Sequence, residues 1–446
     1  MLFRSQLDKL VDWLKQKPNL DLYDPFRRND WRDVCQEKFA TVLRAFCQLS
    51  EENIWPSNFW QVALQVWSEE KRVRHCWRYV APLVAKMPDR TLADLQHTAT
   101  WWLESVSKHK LNYHEDSFYN LCDRYLNIEE QNDLDRDSDL ISHAINRPIS
   151  HITRALINAW YFRQPNDSDG LPDDLKSFFT RLCGSEKAQY RYARLILSTN
   201  LISLFRVDRQ WTEEYLLPSF KWDASISDAK AVWMGFLWSP RIYWPLMRAF
   251  KDDFIKISNY YEILGECGRQ YVRLLTYAAL DPVSTDNEYT EADFRSAIEA
   301  LPVKGLEDSI QALSSALEGA GEQREQYWQN RIQPFLHKYW PKSLEKMSTP
   351  IAENMARLAI VADNKFPEVV KVVFHCLQPF DPHHILYLLG KSDLCSKFPQ
   401  DVLTLLDRII ENPFWSRPEL GECLDRIARA CPDSQTDRRY RRLQEL

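Results

Sequence analysis

The stretch Val402-Leu-Thr-Leu-Leu-Asp-Arg-Ile-Ile410 places Val402, Leu405, Leu406, Ile409 and Ile410 at i, i+3, i+4, i+7 and i+8. That spacing puts these five large apolar side chains on one face of an α-helix. The same stripe recurs at Leu7, Leu10, Val11 and Leu14, and again at Trp328, Ile332, Phe335, Leu336 and Tyr339, where Pro334 is expected to bend the helix. Leu195 to Phe205 is apolar on nearly every side, as in a helix packed between two neighbours.

Glycine usage points the same way. The 446 residues contain 10 glycines, and the first is Gly170. Glycine supplies the positive φ of tight turns and the close backbone approach of phosphate loops. The opening 169 residues therefore hold no Gly-rich nucleotide loop, and tight hairpins there are hard to build. The predicted fold is all-α.

Prolines mark its boundaries at Pro334, Pro350, Pro367, Pro382, Pro399 and Pro413 or Pro418, several suited to a first helical turn. Caps are expected at Asn29-Asp30 before Trp31, at Ser57 before Phe59, at Thr290 with Asp293, and at Ser239 ahead of Pro240. Helix starts then fall about every 20 residues and helix pairs about every 40, the unit size of a HEAT/armadillo-like helical-repeat array, an α-solenoid. An irregular helical bundle is the alternative. The acidic stretch Glu129–Asp139, the turn-rich Gln164–Asp174 and Asp281–Asn287 read as internal breaks. Together they give N-terminal repeats over 1–145, central repeats over 146–345 and C-terminal repeats with a cap over 346–446, all in one continuous body.

Composition narrows the function classes. Hydrophobic residues make up 45% and charged residues 27%, enough apolar material for a core. A net charge of −6 argues against a dedicated nucleic-acid binder. Ten scattered cysteines without a CxxC pair read as reduced thiols. The early charges of the N-terminus are unlike a secretory leader, and no apolar run reaches membrane-spanning length. The expectation is a soluble cytoplasmic protein.

No catalytic motif stands out. The loop at Gly170 would put Pro165 and Lys176 at the ends of an EF-hand, and the loop holding Asp133, Asp135 and Asp137 has Ser138 and Ala144 where glycine and glutamate belong. His375-Cys376 followed by His383-His384 lacks the paired spacing of a zinc site. No metal and no cofactor are therefore expected. The basic end Asp437-Arg-Arg-Tyr-Arg-Arg442 reads as a charged terminal helix or, less simply, as a contact for RNA or an acidic partner. A partner site is placed on a helix launched by Ser239-Pro240, with Arg241, Trp244 and Arg248 on one face at i, i+3 and i+7.

Five strings occur in order: Ala144-Ile-Asn-Arg-Pro-Ile-Ser-His-Ile-Thr153, Leu204-Phe-Arg-Val-Asp-Arg-Gln-Trp-Thr212, Gly235-Phe-Leu-Trp-Ser-Pro-Arg-Ile-Tyr243, Leu274-Leu-Thr-Tyr-Ala-Ala-Leu-Asp-Pro282 and Ala316-Leu-Glu-Gly-Ala-Gly-Glu-Gln-Arg-Glu-Gln-Tyr-Trp328. Together they resemble the bacterial domain of unknown function that follows a sirtuin-like module in large antiphage defence proteins, from about Asp24 to the C-terminus. In such proteins the sirtuin-like part degrades NAD while the helical part senses the trigger, holds the oligomer or restrains the enzyme. No sirtuin-like part accompanies the matched region here. The resemblance thus implies a non-catalytic scaffold or sensor whose partners are a sirtuin-like effector or a phage protein, with homo-oligomerisation left open. A general helical-repeat adaptor and a helical hydrolase or nuclease are the competing readings.

Overall fold

A computed structural model describes residues 2–16, 30–109, 111, 113–129, 140–184, 187–281, 288–343, 346–411 and 418–446. Every regular element among them is helical. No helix among the described residues is long and apolar enough to cross a membrane. Asn29, Pro413, most of the acidic stretch ending at Asp139, and 282–287 lie outside the described residues. The chain divides into two compact units, Met1–Phe236 and Leu237–Leu446, so the boundary falls inside the stretch expected to form the central repeats.

In the first unit the helices pack in two rows. Leu2–Gln16 lies against Phe39–Glu51, which lies against Val73–Val84, which meets Glu115–Asn127. The other row runs Trp31–Glu37, Ser57–Trp67, Gln96–Ser107, Pro148–Phe162 and Tyr190–Ser198. The seam between them is aromatic: Phe46 stacks on Trp60 with ring centroids 4.0 Å apart, and Trp60 meets Trp67 edge to face at 6.2 Å. Each buried ring contributes roughly 1.5–3 kcal/mol by leaving water.

The second unit repeats the plan. Glu266–Leu280, Val303–Gly319, Thr349–Val361, His383–Lys391 and Pro418–Ala430 follow one another in one row. Phe366–Val373, Pro399–Ile409 and Arg438–Gln444 follow in another. The stripe from Val402 to Ile410 is fully buried, as its spacing predicts.

Local starts and stops follow the sequence in part. Thr290 and Asp293 form a reciprocal capping box at the start of Glu291–Ala300. Asp30 precedes Trp31 at the N-cap position. Ser57 instead occupies the first helical position behind Pro56, and its hydroxyl reaches Asp94 at 3.3 Å. The apolar run from Leu195 to Phe205 is two helices, Tyr190–Ser198 and Leu201–Val207, because Thr199 and Asn200 interrupt it. Pro334 is accommodated by a π-turn, Trp328–Ile332, in which the Gln333 N–H bonds to the Trp328 carbonyl. A second π-turn, Thr212–Leu216, precedes Pro218 in the same way. Widening the turn ahead of a proline relieves the clash between its ring and the preceding backbone.

Candidate functional site

The partner site read from the sequence does not form as one helical face. Ser239 and Pro240 lie outside any helix, and the next helix is Trp244–Ala249 with Pro245 in its first turn. A helix begun at Pro240 would carry Pro245 in its interior, where the missing N–H and the ring clash disfavour it. Arg241 therefore stands in an irregular segment, exposed. Trp244 is half-buried: its indole donates to Asp281 Oδ2 at 3.2 Å and its ring meets Tyr289 edge to face at 5.7 Å. Arg248 is half-buried and engaged within the chain. The exposed aromatic of this region is Trp238, at 60%. Its signal in the sequence was its place directly after the last turn of Ile226–Leu237, where helical side chains stop being covered by the next turn.

The basic end is a structural cap. Arg439 bonds to Asp437, Thr404 and Gln400, and Arg442 bonds to Asp407 Oδ1 at 2.7 Å and to the carbonyls of Asp407 and Ile410. Tyr440 and Leu443 are buried beneath them, which leaves Arg438 and Arg441 exposed.

The Gly170 loop is clamped onto the end of Leu201–Val207: Ser168 and Gly170 donate N–H to the carbonyls of Arg206 and Val207, and Asp208 accepts from Leu171 N–H and Lys176. Gly170 has φ +78°, a left-handed conformation that glycine adopts freely and that Gln164 and Ser168 share in the same loop. Cys376 is buried at the end of a 3₁₀ turn, while His375, His383 and His384 are exposed. Among the described residues no three His, Cys, Asp or Glu side chains are grouped to hold a metal.

The strongest buried charge cluster is Glu104 with His151 and Arg154, which pins Gln96–Ser107 to Pro148–Phe162. His151 Nδ1 lies 2.5 Å and Arg154 Nη2 3.0 Å from Glu104 Oε2. Burial alone would push the Glu104 carboxyl up; the hydrogen bonds from His151 and Arg154 outweigh it and hold it at about 2. A carboxylate so stabilised is a poor proton acceptor, and its two partners, His151 and Arg154, are already engaged with it.

A cleft of about 540 Å³ flanks the π-turn Thr212–Leu216, with Glu214, Tyr215, Arg194 and Asp228 on its walls. Arg194 is 4% exposed and bridges the Gly184 carbonyl at 2.6 Å and Asp228 at 2.7 Å. Burial raises the Asp228 carboxyl, but the Arg194 and Arg191 guanidinium groups outweigh it and hold it below its ordinary range. The carboxylate therefore serves as the counter-ion of two arginines.

Three of the five strings quoted from the sequence place residues in packing positions of this kind. Arg147 lies over the Tyr192 ring at 4.4 Å, His151 belongs to the Glu104 cluster, Asp208 clamps the Gly170 loop, and Trp328 donates to Glu368 at 3.2 Å. No protein-family model, curated protein or solved structure matches the chain.

Proposed function

We propose that the chain is a helical-repeat interaction protein: within each unit its helix pairs stack in the manner of a HEAT/armadillo array, and it assembles or restrains a separate sirtuin-like, NAD-degrading effector in bacterial antiphage defence. One observation carries the repeat reading. A set of side-chain bonds between neighbouring helices spans about one helix pair: Lys15 to Glu52 and Ser57 to Asp94 are 37 residues apart, Trp77 to Tyr113 36, Arg124 to Asp89 35, Trp244 to Asp281 37, Arg357 to Glu318 39 and Trp328 to Glu368 40. Others run from 28 residues, Trp31 to Phe59, to 58, Arg181 to Asp123, so the spacing supports stacked pairs of unequal length. Such stacking frees the outward side chains for recognition without disturbing the core, and Trp238 and Arg241 are exposed in this way. The resemblance of the five strings supplies the setting in defence.

The test is to co-express the chain with a sirtuin-like effector, measure co-elution, and follow NAD loss on infection with and without the chain. A stable complex with at least a tenfold change in the rate of NAD loss supports the reading. Separate elution with unchanged NAD loss contradicts the defence role. Nicotinamide release by the purified chain alone overturns the non-catalytic assignment.

A further inference from the structure

A cavity of about 340 Å³ opens in the second unit, where the end of Gln333–Lys338, the helix Thr349–Val361 and the turn Phe374–Cys376 meet. Its floor is apolar: Trp340 is 5% exposed, Met355 1% and Cys376 2%. Burial pushes the Cys376 thiol up to about 11, so it is neutral at physiological pH and belongs to that floor. The Trp340 indole Nε1, buried in the wall, is directed at this thiol and has only that weak sulfur contact for its N–H. A buried N–H left with so weak an acceptor is costly, about 1–3 kcal/mol.

The rim is basic. His337, Lys342, Lys371 and His375 are all exposed at its edge, and no carboxylate lines the cavity. None of the four has a hydrogen-bond or ion-pair partner among the described residues. This contrasts with their neighbours in an acidic protein of net charge −6: Lys338 pairs with Glu291, Lys365 with Glu368 and Arg357 with Glu318. Like charges gathered around an apolar concavity repel one another and focus a field that attracts an anion. Ligand cavities combine an apolar lining with a few such placed polar groups, and this volume lies at the small end of their range.

We propose that this cavity binds a small phosphorylated molecule with a flat apolar body. The body lies on Trp340 and Met355, an acceptor on its edge takes the Trp340 N–H, and the phosphate sits between Lys342 and Lys371 with His337 and His375 beside it. Lysine suits this role because it meets phosphate as a point charge, whereas planar carboxylate recognition favours the arginine fork, which the rim lacks. The site does not depend on the partner proposed above.

The experiment is calorimetric titration of the full chain with 1-naphthyl phosphate and adenosine 5′-monophosphate, each against its dephosphorylated form and inorganic phosphate. At least one ester is expected to bind one-to-one and at least tenfold more tightly than either component. Which ester binds distinguishes a simple aryl phosphate from a nucleotide. The double variant Lys342→Ala/Lys371→Ala should lose at least tenfold in affinity with an unchanged melting temperature. In the wild-type chain the bound ester should slow acetylation of both lysines, read by mass spectrometry, and this arm decides the matter if the variant misfolds. Failure of both esters to bind, wild-type affinity in a folded double variant, or unprotected lysines would overturn the proposal.

Discussion

The two units build one plan from different side chains. Met1–Phe236 holds twelve of the seventeen tryptophans and three of the ten glycines; Leu237–Leu446 holds five and seven. In the first unit indoles fill the seam and anchor it by donating to backbone: Trp31 to the Phe59 carbonyl at 3.0 Å, Trp67 to Cys35 at 3.2 Å and Trp77 to Tyr113 at 2.7 Å. In the second, small residues and hydroxyls carry more of the packing, a device the first unit uses at Gly235. Gly268 leaves room for Tyr261 and Gly305 for Leu301, Thr276 and Ser309 share a hydrogen bond at 2.9 Å, and Tyr261 donates to Asp308 at 2.7 Å. Neighbouring helices can thus be held either by large rings with a directional N–H or by hydroxyl pairs between smaller side chains.

The largest expected effect tests the aromatic seam. Trp60→Ala should cost about 4 kcal/mol, against about 3 kcal/mol for Leu313→Ala in the second unit, as read from urea midpoints. A Leu313 variant that loses more than the Trp60 variant breaks the comparison. Next comes the Glu104 cluster, where Glu104→Ala should cost about 3 kcal/mol at pH 7 by leaving Arg154 and His151 without their carboxylate. Because the folded carboxyl sits at about 2, below its ordinary 4.5, the unfolded state takes up the proton first as pH falls. The stabilisation is complete above pH 4.5 and fades toward pH 2, so the gap between wild type and variant should narrow by about half at pH 3. A gap independent of pH would show that Glu104 acts by packing alone.

Smaller effects separate two kinds of glycine. A Cβ on Gly235 would run into the Leu195 carbonyl, so Gly235→Ala should destabilise by about 2 kcal/mol. Gly390 lies in the helix His383–Lys391 with open space around it, and Gly390→Ala should stabilise by about 0.7 kcal/mol. Equal shifts of the same sign would mean that backbone approach does not govern the Gly235 seam.

Periodicity and punctuation made the helices legible, because burial of one face leaves its mark on every turn: Leu405, Leu406 and Ile409 are buried as their spacing requires. Competition between signals was less legible. Ser239-Pro240 and Trp244-Pro245 each suit a helix start, and only the cost of an interior proline decides for the second. The polar pair Thr199-Asn200 was too short a signal to divide an apolar run. The partner residues failed for a related reason. Helical spacing placed Arg241, Trp244 and Arg248 together, whereas the indole is drawn to Asp281, 37 residues away. The basic rim around Trp340 left no motif, since His337, Lys342, Lys371 and His375 come from separate elements and meet only in three dimensions.

The stacking of neighbouring helices is open to direct measurement by zero-length carbodiimide cross-linking and peptide mass spectrometry. Four lysine–carboxylate pairs join separate helices or their flanking turns within a unit: Lys15 with Glu52, Lys176 with Asp208, Lys251 with Asp293 and Lys338 with Glu291. Stacked helix pairs require these amide links to form, with no dominant link joining residues more than about two pairs apart, or roughly 80 positions. Absence of these four links from the folded chain, with long-separation links in their place, would contradict a repeat array and return the molecule to an irregular bundle.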